Sequence, residues 1–160
     1  MTGLSMTATN VEQSARDPHL VIVIDDDAKV RQFVEAELTR LGMKVASFPT
    51  AKEALAALDN GHPALIFLDV ALLRSDAIDV LRGLGERRYG GVVQLMSGGR
   101  QSLLEAVHRI GARHGIRLFA PLNKPFAREA IVQAVENLRS SNALAQEGRD
   151  VAGPPRAIGR

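Results

Sequence analysis

Four predominantly apolar runs, at residues 20–24, 64–68, 92–96 and 116–122, alternate with stretches whose apolar residues recur at helical spacing. The runs are strand-like, and 64–68, continuous and without the in-out alternation of a half-exposed strand, marks a strand buried on both faces of a parallel sheet. After the first run, Val30, Phe33, Val34, Leu38 and Leu41 fall on one helical face, and Gly42 stands where a helix C-cap glycine belongs. Residues 44–48 form a short further strand. Thr50-Ala51-Lys52-Glu53 has the capping-box pattern that opens a helix, which runs to about Asp59 and is stopped by Asn60-Gly61. A third helix is predicted over 77–84, with 87–91 as a loop. The fourth covers 101–114, with Leu103, Leu104, Val107 and Ile110 as its buried stripe, and the fifth covers 127–138, with Ile131, Val132, Val135 and Leu138 facing inward. Five strands alternating with five helices predict an α/β fold, a doubly wound parallel sheet in one domain. Residues 1–18 and 140–160 lack any period and read as flexible tails, leaving 19–139 as the domain.

At 160 residues and 46% hydrophobic content, the chain is long enough for one buried core and too short for two ordinary domains, so no appended DNA-binding or catalytic module is expected. The net charge is +2, and no Lys/Arg run or basic-aromatic pattern marks a nucleic-acid face, so no nucleic-acid partner is expected. The absence of Cys excludes a disulfide framework and a thiolate metal site. No window reaches the roughly 18 apolar residues of a membrane span, and no signal segment opens the chain. The expected setting is cytoplasmic, without membrane contact.

The candidate chemistry lies where the apolar runs stop. Asp25, Asp26 and Asp27 close the first, Asp69 the second, and Ser97 the third, while Lys124 follows the fourth. In a parallel sheet the carboxyl ends of neighbouring strands share one crevice, where such folds place their ligands. Several carboxylates there repel one another unless a cation neutralises them. Acid pair, lone Asp, hydroxyl and Lys form a constellation suited to phosphoryl transfer. Mg²⁺ takes oxygen ligands and shares them with phosphate. Asp25 and Asp26 are placed to hold it, directly or through water. Asp69 is the candidate nucleophile, Lys124 the counter-charge to the equatorial oxygens, and Ser97 a hydrogen-bond donor to one of them. Taken singly, each residue has a plainer reading: Asp27 before Ala28 as a helix N-cap, Ser97 before Gly98-Gly99 as a turn, and Lys124 as a solvated surface charge. Their placement at four separate strand ends favours the joint reading.

From residue 20 to residue 138 the chain resembles the response-regulator receiver domain. The likeness is carried by Val21-Ile22-Val23-Ile24-Asp25-Asp26-Asp27, Leu65-Ile66-Phe67-Leu68-Asp69, Val93-Gln94-Leu95-Met96-Ser97-Gly98 and Asn123-Lys124-Pro125-Phe126. It implies a flavodoxin-like strand order 2-1-3-4-5. It also implies that Asp69 accepts a phosphoryl group from a histidine kinase or phosphotransfer protein, and that Asp26, Asp69 and the Ala71 carbonyl bind Mg²⁺, with Asp25 acting mainly through water. Ser97 and Lys124 then contact the phosphoryl group, and the Lys124–Pro125 peptide is cis. A signalling domain, limited to self-phosphorylation and autodephosphorylation, is thus expected rather than an enzyme.

Three positions depart from the family pattern. Leu73 stands where Pro is usual, Ala77 where Gly is usual, and Pro121 where a switch aromatic is expected three residues before the Lys. Phe119 has the same strand parity as Pro121 and is the candidate substitute. The segment 115–126 is similar to receivers that precede EAL-type cyclic-di-GMP phosphodiesterases, but the length leaves no room for that domain. The expectation is a stand-alone response regulator signalling to an unknown downstream protein. The face made by the fourth helix, fifth strand and fifth helix is the expected partner surface, and the chain is expected to be a monomer or a weak homodimer through that face.

Two rivals compete. A haloacid-dehalogenase-type phosphohydrolase would use Asp25 as nucleophile and Asp27 as general acid, but it needs an acidic pair after Lys124, and it leaves Asp69 without a role. A receiver-like interaction module that is never phosphorylated would rest on Leu73, Ala77 and Pro121. His19, His62, His108 and His114 lack ligand-like spacing with the acidic cluster.

Overall fold

A computed structural model describes residues 16–72 and 77–151. The elements are β1 Asp17–Ile24, α1 Ala28–Arg40, β2 Lys44–Phe48, α2 Ala51–Leu58, β3 Pro63–Asp69, α3 Ala77–Glu86, β4 Val92–Ser97, α4 Gln101–Arg113, β5 Arg117–Asn123 and α5 Arg128–Val151. The five strands are parallel and lie in the order β2-β1-β3-β4-β5. This is the predicted doubly wound architecture, and it puts β1, β3 and β4 in the middle.

Those three strands explain the continuous apolar runs. Every residue of β3 and β4 is buried, because helices cover both faces. On one face α2, α3 and α4 pack through residues such as Ala54, Leu81 and Val107 onto Ile22, Ile66 and Leu95. On the other, α1 and α5 pack Val34, Leu38, Ile131 and Leu138 onto Val23, Phe67 and Met96. Fully burying side chains of this size contributes about 1.5–3 kcal/mol each, so the two layers hold the strand ends in fixed register.

Local signals place the helices as expected. The Asp27 carboxylate accepts from the Lys29 N–H at 2.9 Å and caps α1. The Thr50 hydroxyl accepts from the Glu53 N–H at 3.3 Å at the start of α2. Gly42, just past α1, has φ +81°, a conformation in which a Cβ would be strained.

Several boundaries differ from the sequence reading, most of them by one or two residues. β1 starts at Asp17 rather than Leu20: the Asp17 N–H donates to the His62 carbonyl at 2.9 Å, and its carboxylate meets Lys44 at 3.1 Å, so part of the expected tail is strand. Ile116, read as the start of β5, precedes it, the strand beginning at Arg117. The expected end of the last helix at Leu138 does not hold, because α5 continues to Val151. Arg139 donates to the Leu41 carbonyl at 3.2 Å and Arg117 donates to the Ser141 hydroxyl at 3.2 Å, tying this extension to the end of α1 and to β5. Among the described residues, no helix is long and apolar enough to cross a membrane.

Candidate functional site

The strand order makes the site. β1 and β3 are neighbours with Ile24 opposite Leu68, so Asp25 and Asp69 leave the sheet side by side. Asp69 lies opposite Met96 on β4, and Ser97 lies opposite Asn123 on β5, so Ser97 and Lys124 come in from the other side. One carboxylate oxygen from each of Asp25, Asp26 and Asp69 lies within 4.8 Å of the others. Asp25 and Asp69 are buried, while Asp26 is half-buried. The Lys124 ammonium reaches Asp25 Oδ2 at 2.6 Å and Asp69 Oδ2 at 3.4 Å.

Burial pushes the Asp25 carboxyl above its ordinary range, and the neighbouring charge of Asp69 adds to the rise; the hydrogen bonds from Lys124 and from the Asp27 N–H, the latter at 2.9 Å, oppose it. Burial by itself would lower the Lys124 ammonium, but its bond to Asp25 and the charges of Asp25 and Asp69 outweigh that and hold it above its ordinary value. Among the described residues, three carboxylates meet the one ammonium of Lys124, which leaves two of their negative charges uncompensated when all are ionised. A hard divalent cation fits this all-oxygen donor set in both charge and ligand type.

Backbone contacts fix the rest. The Ala71 N–H donates to Asp69 Oδ1 at 3.1 Å, which orients the carboxylate within the turn after β3. Ser97 is buried, its hydroxyl accepting from the Gly99 N–H at 3.3 Å and its carbonyl accepting from the Lys124 N–H at 2.8 Å. The Lys124–Pro125 peptide is cis. Arg31 was missed by the sequence reading: from α1 its guanidinium donates to the Asp25 carbonyl at 2.6 Å. Its only sequence signal is its place one turn into the helix that follows the acid cluster.

Not every candidate joins the site. Asp27 is exposed, and its side chain is the α1 cap, as the plainer reading had it. Phe119 is a correction. It is half-buried against the layer of α1 and α5, away from α4, and the parity it was expected to share with Pro121 is lost. The reason is a register shift between Gln94 and Met96, which places an extra β5 residue between Phe119 and Leu122. Pro121 sits at that irregularity in the edge strand, half-buried. Ala77 opens α3 and is buried. Leu73 lies outside the described residues.

A parallel sheet in the order 2-1-3-4-5, with five helices around it and acidic side chains at the strand ends, defines a flavodoxin-like fold of the CheY kind. Residues 21–136 match the sequence profile of the response regulator receiver domain, and the chain belongs to that family. It is a receiver domain of two-component signalling. The chain is similar to the transcriptional regulatory protein PdtaR of Mycobacterium tuberculosis, 26% identical over 132 residues that cover 82% of this chain and 62% of PdtaR. It is also similar to the C4-dicarboxylate transport transcriptional regulatory protein DctD of Pseudomonas aeruginosa, 29% identical over 130 residues that cover 81% of this chain and 27% of DctD. It thus spans less than two thirds of either curated relative. Among solved structures, the receiver domain of NtrX from Brucella abortus superposes with a TM-score of 0.62 at 26% identity, covering 74% of this chain and 96% of that one. A CheY-like receiver protein from Methanospirillum hungatei gives a TM-score of 0.67 at 21% identity, covering 78% and 96%, which is a likeness of fold.

Proposed function

We propose that the chain takes a phosphoryl group onto Asp69 from a histidine kinase or phosphotransfer protein and signals through an interaction that depends on that state. The observation that carries this reading is the meeting of Asp25, Asp26 and Asp69 within 4.8 Å, with Lys124 bridging Asp25 and Asp69. Asp25, Asp26 and Asp69, with the Ala71 carbonyl, are the residues that would hold Mg²⁺. When bound, it supplies positive charge to a phosphoryl group that otherwise enters a negative crevice.

An Asp69 carboxylate oxygen attacks phosphorus in line. The new P–O bond forms as the P–N bond to the donor ring breaks, its electron pair returns to that nitrogen, and neutral imidazole leaves with the proton its other ring nitrogen already carries. The Ala71 N–H holds Asp69 in place for this. The Lys124 ammonium, already on Asp69, moves with the charge onto the phosphoryl oxygens, and the Ser97 hydroxyl turns from the Gly99 N–H to donate to one of them. Ser97 and Lys124 are tied through the backbone, so both strand ends respond together. A partner that prefers one arrangement of α4, β5 and α5 is gained or lost accordingly. For the donor, the exposed edge of Phe33, whose ring lies 6.3 Å from that of Phe126, offers an aromatic patch two residues beyond Lys124.

The test is intact mass after incubation with acetyl phosphate, with Mg²⁺ or with a chelator, for the wild type and for Asp69→Asn. The reading expects one phosphoryl adduct that needs Mg²⁺ and is absent from the variant. No adduct, together with no binding of beryllofluoride, would favour the phosphorylation-independent module.

A further inference from the structure

β5 carries one residue more than its partner strand between two matched pairs. Gln94 lies opposite Phe119 and Met96 opposite Leu122, so two steps along β4 answer three along β5, and the extra residue falls at Ala120 and Pro121. A bulge leaves the ladder locally unpaired. Pro121 deepens that deficit because it has no N–H to donate. Gln94 answers it. Its side chain is buried and donates from Nε2 to the Ala120 carbonyl at 2.7 Å and to the Leu95 carbonyl at 3.2 Å, so one amide group spans both strands at the irregularity.

The bulge decides where Lys124 falls. Beyond it Ser97 pairs with Asn123, the Lys124 N–H donates to the Ser97 carbonyl at 2.8 Å, and the ammonium reaches Asp25 at 2.6 Å. If the pairing of Gln94 with Phe119 ran on without the extra residue, Ser97 would face Leu122. Lys124 would then lie one residue, about 3.3 Å, further along the strand, and the side chains between would turn to the opposite face. A displacement of that size breaks the contact with Asp25.

We propose that Gln94 is a positioning residue for the site: its amide holds the bulge at Pro121 and so sets the register that delivers Lys124 to Asp25 and Asp69. The role in phosphoryl transfer rests on the reading of Asp69 given above, whereas the positional role does not. Gln94 is also the one polar side chain in the middle of an otherwise apolar β4, which ends in Ser97.

The test is a double-mutant cycle of Gln94→Leu and Pro121→Val on the full chain. It is read by amide hydrogen exchange of Lys124, Val23 and Phe67, and by the rate of Asp69 phosphorylation from acetyl phosphate. Loss of two hydrogen bonds from one amide is expected to speed Lys124 exchange about tenfold and to slow phosphorylation to a similar degree. Val23 and Phe67, on β1 and β3, should keep their protection. In the Pro121→Val background, where the backbone N–H is restored, both effects should shrink to less than about threefold. If Gln94→Leu does not fold, Gln94→Met takes its place in the cycle. Unchanged Lys124 exchange overturns the proposal, as does a uniform acceleration of all three amides, which would mark a purely structural role. If the wild type takes no phosphoryl group, the function proposed for Asp69 fails while the exchange cycle still decides the role of Gln94.

Discussion

Replacing Lys124 by Met removes the ammonium from the three carboxylates while keeping an unbranched apolar stem. Asp25 is fully buried and its bond to Lys124 measures 2.6 Å, so the variant strands a carboxylate in a low-dielectric site. Removing one partner of a buried ion pair costs about 3–5 kcal/mol. Here the Lys124 side chain is 22% exposed, and solvent screening at its end of the pair brings the expected loss to about 2 kcal/mol at pH 7 in chelator. The sign of the pH dependence follows from Asp25. Burial raises its folded pKa above the ordinary 3.8, and Lys124 is the main opposing influence. In the variant the rise is larger. A carboxyl with a raised folded pKa gives stability that is fully present below the unfolded value and lost as the pH climbs through the folded one. The penalty of Lys124→Met should therefore be small near pH 4 and grow toward pH 7. Urea denaturation of both proteins with EDTA at pH 4 and pH 7 measures it. A penalty of the same size at both pH values, or none at pH 7, would refute the electrostatic account of the site.

Asp26→Asn removes one of three mutually repelling carboxylates that lie within 4.8 Å of one another, and should stabilise the metal-free protein by about 1 kcal/mol in chemical denaturation while weakening the stabilisation that added Mg²⁺ provides. Asp27→Asn keeps a good N-cap and the backbone N–H that holds Asp25, so adduct formation should be unchanged by intact mass; its loss would revive the general-acid role for Asp27.

Much of this was legible in the chain because both kinds of signal were physical necessities. Strands covered on both faces are apolar along most of their length, as β3 is up to Asp69, and the polar residues that follow each run then mark a strand end. Asp25, Asp69, Ser97 and Lys124 stand at such ends, and the strand order brings them into one cleft. Thr50 and Gly42 announced a helix start and a helix stop through cap chemistry. What escaped was set by tertiary contacts. α5 runs on past Leu138 because Ala, Leu, Gln and Glu favour a helix, and because Arg139 and Arg117 tie it down, although its apolar stripe has ended. Asp17 and Pro18 do not resemble a strand, yet pairing with residues 62 and 63 makes them one. The bulge at Pro121 left no periodic trace. Counting in twos from Pro121 to Phe119 therefore failed, and the purpose of a buried Gln94 stayed hidden until its partners were seen.

The central claim is that Asp69, and not Asp25, is the phosphoryl acceptor. Reducing the acetyl-phosphate-treated protein with borohydride converts an aspartyl phosphate to homoserine, and sequencing the resulting peptides by mass spectrometry locates it. Homoserine at position 69, formed only with Mg²⁺, is the result this account predicts. Homoserine at position 25, or at neither position in protein shown to carry the adduct, would contradict it.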